Sequence, residues 1–201
     1  MSSSPDAPAL GLRERKKART RAALRDQGLR LFREQGYHAT TIEQIAEAAE
    51  VSPSTFFRYF PSKEDIVLID DLDAVLIAAF EAQPMEKSPI MAVRDAIAAV
   101  LDGLTDEDRD REEQRHELML AVPELRATMM DEFRRNIDMV ADVVARRLGR
   151  PADDFEVRVF AGAVIGAAIS TFEIPTRSYE DTLQALDFLA AGLPLANESA
   201  S

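Results

Sequence analysis

Apolar residues recur three and four positions apart along most of the chain, and no stretch shows the strict alternation of a half-buried strand. The pattern predicts an all-α protein. Over residues 12–35, Leu24, Gly28, Leu31 and Phe32 share one helix face, and Gly36 follows as a stop. Ile42, Ile45, Ala46 and Ala49 mark a second, short helix. Thr40 or Thr41 can cap it, because Glu43 and Gln44 lie three residues further on, the spacing of a capping box. Glu50 and Val51 form the turn. Ser52 caps a third helix, and Pro53 at its first position has the fixed φ that a helix start accepts.

In this third helix four aromatic residues crowd into five positions, Phe56, Phe57, Tyr59 and Phe60. One helix face cannot bury all of them. Phe56 and Phe60, four apart, are expected to face inward with Val51, and Tyr59 lies at the flank. Ser54, Phe57 and Arg58 fall on the opposite stripe, so Phe57 is the ring expected in solvent. Pro61 ends the helix. Ser62, with Asp65 three residues on, is expected to cap a fourth helix carrying Ile66, Ile69, Leu72, Leu76 and Phe80 as far as Pro84.

Further helices are predicted over residues 89–104 and 111–122, with the acidic run 105–110 as a link between them. A long helix over 123–148 has Leu125, Met129, Phe133, Ile137, Val140, Val144 and Leu148 on one face, and Gly149 to Pro151 break it. Two more, over 153–174 and 178–192, complete the pattern. The expected organisation is a loose arm over 1–12, a reading head over 13–60, a larger helical domain over 61–194 and a loose tail over 195–201.

Composition narrows the function. The 201 residues hold no Cys, which removes disulfides and thiolate chemistry, and two scattered His give no metal site. His116 opens a run resembling a zinc-protease motif, but Leu120 stands where the second His is needed. No cofactor is expected. The apolar runs are shorter than the roughly 20 residues of a membrane span, and the N-terminus lacks the layout of a signal peptide, so a cytoplasmic protein without membrane contact is expected. The net charge of −12 conceals an asymmetry. Arg13, Arg15, Lys16, Lys17, Arg19, Arg21, Arg25, Arg30 and Arg33 are opposed between residues 13 and 33 by Glu14 and Asp26 alone, whereas acids outnumber bases from Val67 onward. A basic head on an acidic body points one end of the molecule toward a polyanion.

Two short helices joined by a tight turn, the second rich in hydroxyls, form a helix-turn-helix whose second helix can enter the major groove of double-stranded DNA. Ser54 and Arg58 can reach base edges or phosphates, and arginine reads guanine bidentately. Phe57 offers an apolar face to a thymine methyl or a sugar. Thr41, Ser52, Thr55, Tyr59 and Lys63 stand around it as phosphate donors, with Pro53 opening the helix they share, and Lys63 lies at an expected helix start. Arg13, Lys16 and Lys17 supply long-range attraction.

The run "TTIEQIAEAAEVSPSTFFRYFPSKEDI" resembles the N-terminal domain of TetR-type bacterial transcription regulators. Thr40-Thr41-Ile42, Ile45-Ala46, Val51-Ser52, Tyr59-Phe60 and Ser62-Lys63-Glu64 follow that family's order, and "LFREQGY" precedes them as it does there. The family often has Tyr where this chain has Phe57, which removes a phosphate-binding hydroxyl and favours an apolar contact. The resemblance implies a homodimer, a palindromic operator and a helical C-terminal domain that binds a small apolar effector. "STFFRYFPSKED" together with "ELMLAVPELRA" is similar to a subgroup with acyl-CoA-like ligands that includes mycofactocin-system regulators.

Two polar residues interrupt apolar faces in the C-terminal part. Arg115 shares a face with Leu118, Met119 and Val122; it can anchor an anionic effector or be salt-bridged. Asn136 sits among Phe133, Ile137 and Val140 and can meet an effector or a structural partner. Met119, Met129, Met130 and Met139 suit a plain core or an adaptable pocket. The small-residue run from Phe160 to Ser170 is placed by the resemblance in a dimer interface, with internal packing as the alternative. The expected function is a ligand-responsive DNA-binding repressor. The rivals are a ligand-independent or architectural DNA-binding protein and a helical enzyme or adaptor.

Overall fold

The computed structural model describes residues 11–69, 72–172 and 179–194. Among these the chain is helical, in the order α1 (Leu12–Gln35), α2 (Ile42–Ala48), α3 (Pro53–Tyr59), α4 (Asp65–Leu68), α5 (Asp73–Glu81), α6 (Pro89–Gly103), α7 (Asp106–Ala121), α8 (Pro123–Leu148), α9 (Phe155–Phe172) and α10 (Tyr179–Ala190). Two compact units divide the chain. Of the described residues, those over 11–69 and 111–122 make the first, and those over 72–110, 123–172 and 179–194 the second. The division therefore falls after Ile69 rather than after residue 60, and the second part of α7 goes with the head.

In the first unit, Leu24, Leu29 and Phe32 of α1 pack in a core that also buries Ile45, Phe56, Phe60, Ile66 and Val67. Thr41 caps α2 in a reciprocal box: its hydroxyl accepts from the Gln44 N–H, and the Gln44 side chain accepts from the Thr41 N–H. Thr40 has a different role; it is buried and donates to the Gly36 carbonyl at 2.9 Å. The turn after α2 is a Schellman motif, in which Glu50 N–H bonds Glu47 O and Val51 N–H bonds Ala46 O. Its left-handed position is occupied by Glu50, at φ 55°, where glycine is the usual residue. Gly28 lets α1 and α4 approach closely: a Cβ there would stand 2.7 Å from Cδ1 of Ile66.

The single helix expected from Ser62 to Pro84 is two. α4 stops at Leu68, Ile69 is extended, and α5 starts at Asp73. The cause is distant in sequence. Arg25 donates to the Ile69 carbonyl at 2.7 Å and Arg115 donates to the Val67 carbonyl at 3.2 Å, so two guanidinium groups take up carbonyls at the end of α4. Ser62 does not act as the N-cap of α4, a position held by Glu64; the Ser62 hydroxyl donates instead to Asp65.

The acidic link expected over 105–110 is the first turn of α7. Thr105 and Asp108 form a capping box, with Asp108 N–H donating to the Thr105 hydroxyl at 3.2 Å and Thr105 N–H to the Asp108 carboxylate at 3.1 Å. Asp106, Glu107 and Asp108 then lie where the helix dipole favours negative charge.

The second unit packs α8 on α9, α9 on α10, and α5 on α6 around Phe80, Val93, Ala96, Val144, Val157, Ala161, Val164 and Leu186. Small residues of α8, Ala141 and Ala145, enter this core, whereas Leu148 is exposed. Asp154 opens α9 by accepting from the N–H groups of Glu156 and Val157. The expected start of the last helix at Ser178 and the expected end of α9 at Ile174 lie outside the described residues. No described helix is long and apolar enough to cross a membrane.

Candidate nucleic-acid interface

The turn at Glu50 sets α3 against α2, and Ser52 fixes its start by accepting from the Thr55 N–H at 3.2 Å. Phe56 and Phe60 are fully buried, which determines the rotation of the helix. The opposite stripe is then solvent-facing: Phe57 is 54% exposed, and Ser54 and Arg58 are exposed with it. The Phe56 and Phe57 rings meet edge to face, at 5.6 Å and 84°, so the exposed ring is braced by the buried one. Arg58 lies over the Tyr59 ring at 5.2 Å, which holds the guanidinium on the exposed side.

Ser52, Ser54 and Thr55 form a hydroxyl cluster, with oxygen separations of 2.8 and 3.0 Å from Ser52. With Pro53 they crowd the exposed start of α3. Thr41 is exposed at the start of α2. Arg13, Lys16 and Lys17 are exposed on α1. This donor set suits a phosphate backbone, and the Phe57–Arg58 pair suits base edges.

Lys63, expected as a phosphate donor, makes contacts within the head. It precedes α4, and its ammonium donates to the carbonyls of Tyr37 at 2.8 Å and Thr40 at 3.2 Å while standing 4.2 Å from the Tyr37 ring centroid. These bonds hold the turn between α1 and α2. Beside it, Tyr37 donates to the Glu64 carboxylate at 2.9 Å. Burial acts to raise the Glu64 pKa. Hydrogen bonds from its own backbone N–H, from Ser62 and from Tyr37, together with the Lys63 charge, outweigh burial and hold it below the ordinary carboxylate value. No local pattern foretells this network, because Tyr37 and Glu64 are 27 positions apart.

The residues expected around an effector are divided. Arg115 and Met119 belong to the first unit, and Phe133, Asn136, Ile137 and Val140 to the second. Arg115 is 4% exposed, and its guanidinium is occupied by the Glu112 carboxylate at 2.8 Å and by the Val67 carbonyl. Phe133, Asn136, Ile137 and Val140 are half-buried on α8, and Ile137 and Val140 pack against the core. A surface cavity of about 350 Å³ in the second unit is lined by Ile77, Arg135, Asp138, Met139, Asp142, Val143 and Arg146, and thus by other residues of α8. No group of His, Cys, Asp and Glu able to hold a metal occurs among the described residues.

A helical head that buries Phe56 and presents Ser54, Phe57 and Arg58 from the second helix of a helix-turn-helix defines a DNA-binding protein of the transcription-regulator class. Residues 24–68 match the family model of bacterial regulatory proteins of the tetR family, and residues 87–194 match that of the MftR C-terminal domain. The chain belongs to the TetR family of transcriptional regulators and is not an enzyme. It is 39% identical over 180 residues to the regulator TcmR of Streptomyces glaucescens, covering 84% of this chain and 78% of that one. It is 28% identical over 192 residues to MftR of Mycobacterium tuberculosis, named for regulation of mycofactocin biosynthesis, covering 92% and 96% of the two chains. The fold is shared with SmeT in its triclosan complex, at a TM-score of 0.59 and 19% identity over 87% of this chain and 91% of that one. A transcriptional regulator of Aquifex aeolicus shares it at 0.54 and 15% identity, over 87% and 99%.

Proposed function

We propose that this regulator is a repressor that binds a palindromic operator as a homodimer through α3 and is released by a small apolar effector. The observation that carries the reading is the outward Phe57, flanked by Ser54 and Arg58, while Phe56 on the same helix and Phe60 at its C-cap are fully buried. The ring stands beside a guanidinium and a hydroxyl on an exposed helix face, and a thymine methyl or a sugar is an apolar surface it suits. The homodimer is supported by α9. Phe155 is 79% and Val159 54% exposed, and a Cβ at Gly162 or Gly166 would meet no atom within 4 Å. A stripe of exposed apolar and small residues suits a close helix contact with a second copy.

The effector is placed along Phe133, Asn136, Ile137 and Val140 of α8, with acyl-CoA-like molecules as the class to test first. Arg115 has no part in this reading, because it belongs to the other unit and its charge is already satisfied by Glu112. One observation favours the ligand-independent alternative: the cavity beside α8 is lined by residues other than these four.

Selection of bound sequences from a pool of random duplexes tests the reading. Two inverted half-sites spaced near one helical turn are expected. A pool that shows no enrichment would remove sequence-specific regulation. Long-chain acyl-CoAs are then titrated against the selected duplex. Release of DNA with a raised melting temperature supports the effector class, and neither effect overturns it.

A further inference from the structure

A second face of α8, distinct from that of Phe133, Ile137 and Val140, carries chemistry that neither the fold nor the operator reading uses. Arg135, Met139, Asp142 and Arg146 repeat at i, i+4, i+7 and i+11, two positions out of step with the apolar face and so about 200° around the helix from it. Together with Ile77 of α5 they line the cavity of about 350 Å³, a volume within the range of small-molecule sites. Its apolar part is Ile77, Met139 and Val143. Its charges are partnered, with one exception. Asp138 accepts from Arg158 of α9, Arg135 is held by Glu132, and Arg146 donates to Glu81 of α5 at 2.8 Å. Asp142 has no hydrogen-bond or ion-pair partner among the described residues.

A cation lies within reach of Asp142 along the helix and is directed elsewhere. Arg146 is four residues on, the spacing and order at which an acid and a base pair on a helix, yet it bonds Glu81, 65 positions away in sequence. Asp138, four residues before Asp142, adds a like charge on the same side, and Arg158 neutralises that one alone. The cavity therefore combines an apolar floor with a carboxylate whose acceptor oxygens are unused. We propose that it binds a small primary organic cation, an alkylammonium or arylalkylammonium, whose N–H groups donate to Asp142 while its apolar body lies on Ile77, Met139 and Val143. Among the described residues the lining holds no aromatic ring, so a quaternary ammonium would find no π face and has no N–H to donate. Asp142 is exposed, so its carboxylate selects the charge of the ligand, and the apolar floor supplies most of the binding. The same carboxylate repels an anionic molecule such as an acyl-CoA. This is a separate site from the one placed along Phe133 and Val140, and it rests on neither the effector reading nor the operator reading.

Titration of the full-length protein without DNA, followed by NMR, tests this with 2-phenylethylammonium as the probe and 2-phenylethanol and 3-phenylpropionate as its neutral and anionic counterparts. The cation should bind about fivefold more tightly than the alcohol, the upper scale of an exposed ion pair, and the carboxylate more weakly than either. Asp142→Asn should bring the cation down to the affinity of the alcohol. It should do so without lowering the melting temperature of the free protein, because the carboxylate it removes holds no partner. Glu81→Gln frees Arg146 to turn to its helix neighbour Asp142, and should weaken the cation while leaving the alcohol where it was. Equal affinities for cation and alcohol in the native chain overturn the proposal. So does a preference for the cation that survives Asp142→Asn, which would place the bound ammonium elsewhere. Absence of saturable binding of the cation overturns it as well. None of these failures touches the operator reading, which is measured on duplexes that these titrations do not contain.

Discussion

Arg115 Nη1 donates to the carbonyl of Val67 at 3.2 Å, joining α7 to the last turn of α4 across 48 positions of sequence. The same guanidinium holds Glu112, and both side chains are more than nine-tenths buried. A pair of this kind adds little net stability relative to an apolar substitute, but removing one partner leaves an uncompensated buried charge. Arg115→Met should therefore cost about 3–5 kcal/mol in urea unfolding. Adding Glu112→Leu should recover most of that loss. If the double variant is no more stable than Arg115→Met alone, the ion pair is not what the single variant breaks.

Gly28 and Ile66 make a second long-range relationship that a pair of substitutions can read. Gly28→Ala should gain up to about 1 kcal/mol from helix propensity. It also forces a Cβ to 2.7 Å from Cδ1 and 3.1 Å from Cγ2 of a fully buried Ile66. Overpacking costs about 1–3 kcal/mol, so the head should lose stability on balance. Ile66→Val removes the nearer clash. The double variant should be more stable than the sum of the single changes by at least about 0.5 kcal/mol, the range of coupling between touching residues. Additive effects would mean that α1 and α4 do not approach this closely in solution.

These two contacts also mark where sequence reasoning stops. The outward face of α3 was legible because it is a local matter. The cap at Ser52, the helical spacing of Phe56 and Phe60, and the residues left over at Ser54, Phe57 and Arg58 all lie within nine positions. The break between α4 and α5 was not legible. Ile66, Ile69, Leu72, Leu76 and Phe80 keep helical spacing through it, and the groups that take its carbonyls, Arg25 and Arg115, come from far away in the chain. The start of α7 had a local signal in Thr105 and Asp108, but a dense acidic run reads as a linker until its cap is recognised. The α8 face expected around Phe133 and Val140 showed helical periodicity, and periodicity does not distinguish a pocket wall from core packing. Arg115 belongs to the head unit and Asn136 to the other, a division that helical spacing does not reveal.

Glu64 gives the head an acid sensitivity of known sign. Its folded pKa lies below the ordinary value of 4.5, because the hydrogen bonds from its own backbone, Ser62 and Tyr37 outweigh burial. The stabilisation is complete above that ordinary value and is lost as pH falls through the lower, folded one. Glu64→Gln cannot titrate. The difference in melting temperature between the native chain and this variant should narrow as pH drops from about 5 toward about 3, following the loss of the carboxylate's linkage term. A constant difference would show that the carboxylate charge contributes nothing to the network.

Arg58 and Lys63 are both cations near the reading helix, and the structure separates what they do. Arg58 is exposed and stacked on Tyr59, whereas Lys63 is bonded to the carbonyls of Tyr37 and Thr40. Arg58→Ala should cost about 1–3 kcal/mol in affinity for a selected operator and relax base preference at one position in each half-site. It should leave thermal stability nearly unchanged, as expected for an exposed side chain away from the core. Lys63→Ala should do the reverse. Loss of two bonds to backbone carbonyls by a charged donor should destabilise the head by about 1.5–3 kcal/mol, while base preference in the selected pool stays the same. Operator affinity would fall with it only near the melting transition, where folded heads become scarce. If Lys63→Ala instead leaves stability intact and flattens the salt dependence of binding by about one phosphate contact, then its ammonium leaves the Tyr37 and Thr40 carbonyls when DNA is bound and serves the backbone directly.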